Sequence, residues 1–335
     1  MSNRIYHQKL YNPEQKERFL KNFSSNTYDA YHRLLVKASS SEKRNGKDLY
    51  DFNLYEIERL MHYLSPGSLS SAMSYVCTIQ LYIRWAIEQD LRTNNLNPLL
   101  VVPDEFYSKF IDKSRKTIFT LSEIQTLEAD LFNAQDAGIL RCVFEGVSGK
   151  KYSEILNLTM KDVDIENCIL TLHDDISENE TLVRQIKVSQ ELITLLIKAD
   201  KEDIYYKNNG NPSENIKAPT AKLVESKYVF KNTQLNTKGN ERADHYLILR
   251  KLKKVAQWFG WDYLTGSNIR NSGMLYMASR LYKVNNKLSK NEIDQVCEHF
   301  NISRINDKPS SYNTTRLRKE FLNVDTILKY YGEIE

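Results

Sequence analysis

Two domains, mainly helical with one small β-hairpin, are what this sequence predicts: an α+β class with its strands confined to the C-terminal half. Three observations carry that expectation. From Asn12 to about Leu96, apolar residues recur at three- and four-residue steps, the spacing of one helical face. From Leu99 to about Ile118 the composition shifts toward proline and charge, and the periodicity lapses. Beyond that, CILTLHD and LVRQIKVS are two β-branched, aliphatic runs separated by the acidic DDISENET, the pattern of a hairpin. The expected division is therefore a helical domain over 1–100, a linker over 101–118 and a second domain over 119–335. A chain of 335 residues is long for a single core.

The elements follow in order. NPEQKERFLKNF reads as a first helix, with Pro13 where the first turn tolerates it. SSNTYDAYHRLLVKASS opens on capping residues and places Tyr28, Tyr31, Leu34, Leu35 and Ala38 on one apolar face. SSEKRNGKDLYDFN reads as a polar break, and NLYEIERLMHYL as a short helix that stops at Ser65-Pro66-Gly67. SLSSAMSYVCTIQLYIRWAIEQDL is a long, buried helix opened by serines, leaving at Pro98. TLSEIQTLEADLFNA has Thr120 and Ser122 ahead of Glu123, a helix-start pattern, and AGILRCVFEGV is a buried helix. After the hairpin come helical SQELITLLIKA, a polar insert from Asp203 to Lys227, a short YVF strand, and helices in LILRKLKKVAQWFGW and SNIRNSGMLYMASRLYKV. The chain from Lys290 onward reads as helical.

Hydrophobic residues at 41% and charged residues at 27% allow a core in each half, so disorder is not the expected state. The net charge of +4 suits nucleic acid only where the cations cluster. They do so in KSRK at Lys113 to Lys116, in Lys150-Lys151, in RKLKK at Arg250 to Lys254 and in RLRK at Arg316 to Lys319. Taken singly, such runs are more often solvated helix faces. Cys77, Cys142, Cys168 and Cys297 are scattered through apolar runs without a C-x-x-C pair, so neither a metal site nor a disulfide is expected, and no cofactor. No apolar leader and no stretch of membrane-span length is present, which gives a cytoplasmic expectation. Lys150 and Lys151 stand directly before a helix start, where cations and free backbone N–H groups together can hold a phosphate.

The order helix, GVSGKKYSEILNLTMKDVDI, hairpin, helix and S-N-I-R resembles the C-terminal domain of tyrosine recombinases, the phage integrase family. The N-terminal half is similar to that family's helical, SAM-like core-binding domain, with Thr27 and Tyr31 as T-x-x-x-Y, the serine-opened helix, and Asn97-Pro98 at its exit. The likeness covers about Thr27 to Tyr312. It implies chemistry at a DNA phosphate, where two arginines, a lysine and His or Trp donors stabilise the transition state while a tyrosine attacks.

Residue by residue, the resemblance places Lys151 where the family has its first arginine, so the charge stays and the bidentate fork is lost. The hairpin tip, where the family has a lysine, carries Asp174, Asp175, Glu178 and Glu180, which would repel a phosphate. H-x-x-R becomes Ser267-Asn268-Ile269-Arg270, keeping the second arginine. His299 stands for the third His or Trp, and Tyr312 for the nucleophile. Each lost donor lowers the rate by roughly 100- to 1000-fold, so catalysis is expected to be lost while the fold persists.

The function that the resemblance implies is a site-specific transcriptional repressor on an inactive recombinase scaffold, similar to the recombinase-like repressors of SPβ-type Bacillus prophages. Its partner would be double-stranded operator DNA in the bacterial nucleoid, together with a second copy of itself or an antirepressor protein. The expected DNA contacts are Arg270, Lys150 and Lys151, with Arg115 and Lys116 from the linker that crosses DNA in the family. Ser70, Ser71, Ser74 and Thr78 lie on the helix that faces the major groove in the family. The alternatives are an active integrase using Tyr312 and a protein-binding scaffold without a DNA role.

Overall fold

The computed structural model describes residues 9–112, 114–211, 218–234, 242–305 and 308–332. The chain divides into two compact units, Met1–Arg115 and Lys116–Glu335.

The first unit is helical: α1 (Pro13–Leu20), α2 (Ser25–Asn45), α3 (Leu54–Leu64), α4 (Leu69–Glu88) and the short α5 (Asp104–Ser108). Asn53 and Glu56 close a capping box at α3, with Glu56 N donating to Asn53 Oδ1 at 3.0 Å and Asn53 N to Glu56 Oε2 at 2.8 Å. At α4 the cap is Ser68, whose Oγ accepts from Ser71 N at 3.2 Å. Phe19, Leu35, Phe52, Ile57, Ile79, Tyr82 and Ile83 form the core. Phe106 and Phe110, in the segment read as a linker, are buried in it.

The expected polar break from Ser40 departs from its sequence reading. The polar SSEKRN stretch is the last part of α2, which runs to Asn45 and ends on Gly46 at φ 64°. Ser41 and Glu42 face inward there, because Glu42 accepts a hydrogen bond from buried Lys16. A polar run carries a buried ion pair instead of a break.

The second unit begins with α6 (Leu121–Asp130), opened by the expected Thr120, whose Oγ1 accepts from Glu123 N at 3.3 Å. Then come α7 (Ala134–Phe144), α8 (Ser153–Asn157), β1 (Val163–Asp164), β2 (Ile169–Ser177), β3 (Glu180–Lys187) and α9 (Gln190–Lys201). The strands β1-β2-β3 form an antiparallel sheet in that order, with Leu172 opposite Arg184 and Asp174 opposite Leu182. A small ribbon, β4 (Ile204–Tyr206) with β5 (Thr220–Lys222), lies inside the polar insert. The expected YVF strand is reduced to one bridge between Thr159 and Tyr228.

The chain continues through α10 (His245–Trp258), α11 (Gly266–Asn285) and α12 (Lys290–His299). A second ribbon, β6 (Arg304–Ile305) with β7 (Lys308–Tyr312), interrupts the region read as wholly helical, before α13 (Thr315–Glu320) and α14 (Val324–Tyr331). α7 is buried from Gln135 to Phe144. It meets α11 at Gly273, where an added Cβ would fall 1.7 Å from Phe144 O. Only glycine lets the two helices approach so closely. α14 packs within its own chain, with Ile327 buried and the Tyr331 ring centroid 6.0 Å from that of Tyr276. Among the described residues, no helix is long and apolar enough to cross a membrane, and no cluster of His, Cys, Asp or Glu is placed to hold a metal ion.

Candidate functional site

The two adjacent lysines sit on a tight corner between α7 and α8. Gly149 has φ 68°, and an added Cβ there would lie 2.7 Å from Asp174 Oδ1. Lys151 and Tyr152 follow at φ 52° and 63°, a left-handed conformation that costs non-glycine residues energy and persists only where neighbours impose it. Asp174 is the neighbour that imposes it. Its Oδ1 accepts from Lys150 N at 2.6 Å and from Ser153 Oγ at 2.5 Å. Lys150 Nζ donates to Ile176 O, and both lysine side chains remain exposed. α8 has five residues, so its dipole is small, and the corner offers an anion mainly the two ammonium charges.

That geometry corrects the reading of the hairpin acids. Asp174 lies inside β2, 3% exposed, and serves the corner. Asp175 accepts from Arg242 Nη1 at 2.6 Å and from Asn157 Nδ2 at 3.0 Å. Glu178 and Glu180 are exposed at the turn. Of the four acids expected to repel a phosphate, two are committed within the fold.

Behind the corner is a knot of charge. Arg184 of β3 donates Nε to Glu154 Oε1 at 2.6 Å and Nη2 to Glu154 Oε2 at 2.8 Å. It also donates Nη1 to His299 O at 2.6 Å and Nη2 to Gly146 O at 2.9 Å. Arg270, on the first turns of α11, donates Nη2 to the carbonyls of Phe300 and Asn301. Its Nε is buried without a partner among the described residues. Burial, and next the charge of Arg184, lower the pKa of Arg270 from its usual value, while Glu154 works in the other direction.

His299 Nε2 lies 2.9 Å from Glu145 O, and since a carbonyl only accepts, Nε2 carries the proton. Burial holds the His299 pKa below the usual imidazole value, with Arg184 adding to that effect. Tyr312, at the end of β7, accepts from Arg304 Nη2 at 2.7 Å, and the Arg304 guanidinium lies 4.3 Å from the ring centroid. Burial raises the Tyr312 phenol above its ordinary value, and Arg304 opposes it.

Two of the clefts among the described residues of this unit are lined by these groups. One of about 840 Å³ is lined by Arg184, His299, Arg304 and Tyr312. The other, of about 580 Å³, is lined by Lys150, Lys151, Asp175, Glu178, Arg242 and His245. The expected catalytic positions are thus divided. His299 and Tyr312 share a cleft, Lys151 belongs to the other, Arg270 is bonded to backbone, and Ser267 is exposed at the start of α11.

In the first unit, Ser74 is exposed on α4, while Ser70 and Ser71 are half-buried. Thr78 is buried at 2% and donates to Ser74 O at 2.9 Å, so it is not available for the DNA contact expected of it. Met73 and Cys77 are exposed on the same helix. Arg115 donates Nε to Asp112 Oδ2 at 3.0 Å and Nη2 to Ser65 O at 3.0 Å, bracing the turn between α3 and α4. Lys116, in the second unit, pairs with Glu123 and lies over the rings of Phe119 and Trp261. Lys113, from the same basic run, falls outside the described residues.

Sequence reasoning missed Arg184, Arg242 and Arg304. For Arg184 a signal existed: it lies two residues before buried Ile186 on a strand, so period-two alternation turns its side chain inward. An inward arginine on a hairpin needs a buried acid, and Glu154 is that acid.

A core-binding unit followed by a catalytic-type unit defines the recombinase fold, here with its cation cluster tied into the protein's own backbone. The model of the MrpR C-terminal catalytic domain matches residues 118–332, and that of the MrpR N-terminal core-binding domain matches residues 10–88. The chain belongs to this MrpR family. Over 328 residues it is 31% identical to the SPbeta prophage-derived uncharacterized protein YopR of Bacillus subtilis (strain 168), covering 97% of each chain. Among solved structures it is similar to a lambda integrase(75–356) dimer bound to a COC' core site, with TM-score 0.48 and 12% identity over 89% of this chain and 93% of that one. It is also similar to XerA recombinase, with TM-score 0.40 and 16% identity over 95% of this chain and 97% of that one.

Proposed function

We propose that this protein is a sequence-specific DNA-binding repressor on a recombinase scaffold that no longer transfers strands. A prophage setting is supported by the relative of prophage origin. One observation supports the loss of catalysis: Arg184 is spent on Glu154 and on the carbonyls of Gly146 and His299, and Nη2 of Arg270 on the carbonyls of Phe300 and Asn301. A scissile phosphate needs those donors aimed at its own oxygens. Binding needs less, since exposed lysines act as point charges toward the DNA backbone. Lys150 and Lys151 are suited to that task, with base reading left to the α4 face that carries exposed Ser74 and half-buried Ser70 and Ser71.

The second reading, an active recombinase, rests on Tyr312 and His299 lining one cleft. A suicide DNA substrate separates the two. The repressor reading expects a salt-sensitive gel shift and no covalent adduct; a phosphotyrosine adduct that disappears in Tyr312→Phe overturns it. No shift on any fragment selected from the host phage genome removes the DNA role altogether.

A further inference from the structure

Among the described residues, the core of the first unit contains three charged groups and only one of them is positive. Lys16 of α1, Glu42 of α2 and Asp48, in the turn after α2, are exposed by 0%, 0% and 5%. Lys16 Nζ donates to Glu42 Oε1 at 2.7 Å and to both Asp48 oxygens at 3.2 Å. Glu42 Oε1 also accepts from Leu49 N at 2.8 Å, and Asp48 Oδ1 from Tyr82 OH at 3.0 Å. Three of the four carboxylate oxygens are therefore satisfied. Among the described residues, Glu42 Oε2 is buried and has no partner.

Two ionised carboxylates with one ammonium would leave a net negative charge in an apolar core, where an unbalanced charge is strongly unfavourable. A proton removes that charge. It breaks no hydrogen bond if it sits on the one oxygen that accepts none. We infer that the first unit folds around one buried proton held on Glu42 Oε2, and loses stability when that proton leaves.

The surroundings agree. Burial pushes the Glu42 carboxyl up to about 7, Lys16 pulls it down, and the Asp48 charge pushes it up again. Among the described residues, the other titratable groups facing the cluster are Tyr82 of α4, Tyr50 and Asp51 of the turn after α2, and Tyr11, whose ring centroid lies 5.6 Å from Lys16 Nζ. The Tyr50 and Tyr82 phenols are both raised, so neither supplies a further charge near neutrality. For an acid with a raised folded pKa, the folded state binds more protons than the unfolded one. Stability is then complete below the ordinary carboxyl range, falls as pH rises toward about 7, and is level above it. Tyr82 ties α4, the helix with the serine-rich face, to the same cluster.

The test uses the full chain labelled with ¹³Cδ-glutamate, the Glu42 signal being the one that vanishes in Glu42→Gln. Its titration midpoint is expected near neutrality, and Asp48→Asn is expected to move it down by a unit or more, since Lys16 then balances Glu42 alone. Glu128, Glu145 and Glu202 are also raised by burial but belong to the other unit, and do not respond to Asp48→Asn. If Glu42→Gln does not fold, the signal shifted by Asp48→Asn identifies Glu42. Amide protection in α2 and α4, corrected for intrinsic exchange, is expected to fall about tenfold per pH unit from pH 5 to 7, and to be level in Glu42→Gln. A Glu42 carboxyl ionised throughout pH 5.5 to 8, or a protection slope unchanged in Glu42→Gln, overturns the inference.

Discussion

Arg184 of β3 grips Glu154 of α8 at two points, Nε to Oε1 at 2.6 Å and Nη2 to Oε2 at 2.8 Å. The paired geometry is the strong form of an arginine–carboxylate contact, and Glu154 is fully buried. The remaining Arg184 donors fix Gly146 O and His299 O, so one side chain ties the α7–α8 corner to the end of α12.

Breaking this pair leaves a buried charge without its partner. Glu154→Gln and Arg184→Met are each expected to destabilise the second unit by about 3–5 kcal/mol. The double variant should recover much of the loss, giving a double-mutant coupling energy above about 1 kcal/mol in urea unfolding. Two fully additive losses would show that the pair is not the linchpin.

Arg270 and the paired lysines should separate stability from binding. Arg270→Ala removes the donor from the Phe300 and Asn301 carbonyls and should lower stability by about 1–3 kcal/mol. Lys150→Ala and Lys151→Ala should leave the melting temperature nearly unchanged. Each is expected to weaken DNA binding uniformly across sequences and to reduce the slope of log K against log salt by about 0.9 for every phosphate it no longer neutralises. Gel shifts at three or more salt concentrations, beside thermal melts, decide the matter.

Gly273→Ala places a methyl group within 1.7 Å of Phe144 O as the helices now stand. α7 and α11 must then move apart, and the expected loss is about 3 kcal/mol or more. Ser279→Ala, on the same helix and buried at 2%, is the matched control, with a much smaller effect in the same unfolding experiment.

His299 gives a pH dependence of opposite sign to that of Glu42. Its folded pKa is lowered by burial, so the unfolded chain binds the proton more readily. Its contribution is present above the ordinary imidazole value and is lost as pH falls through it, from about 6.5 downward. The difference in stability between the wild type and His299→Asn, measured from pH 8 to 5, isolates this contribution from the buried acids Glu128 and Glu145. That difference should shrink as pH falls; a constant difference would show that His299 does not titrate on unfolding.

Much of the architecture is local and therefore legible. The helix starts at Thr120 and Asn12-Pro13, the α3 stop at Ser65, and the β2–β3 hairpin depend on caps, turns and periodicity within a few residues. The α2 extension was not legible, because the burial of Glu42 depends on Lys16, 26 residues away. The C-terminal ribbon β6–β7 was missed because its strands are short and polar.

At the candidate site, the inventory is written in the chain itself: Lys150 and Lys151 before a helix start, Ser267 and Arg270 at another, and an acidic hairpin. What those groups do was decided only by the tertiary structure. Asp174 became the anchor of the lysine corner, Arg270 was bonded to the Phe300 and Asn301 carbonyls, and Arg184 arrived from β3 to meet Glu154. The physical reason is reach. Charge and donor count belong to each residue, whereas whether a guanidinium meets a ligand or its own backbone depends on which distant segments the fold packs around it.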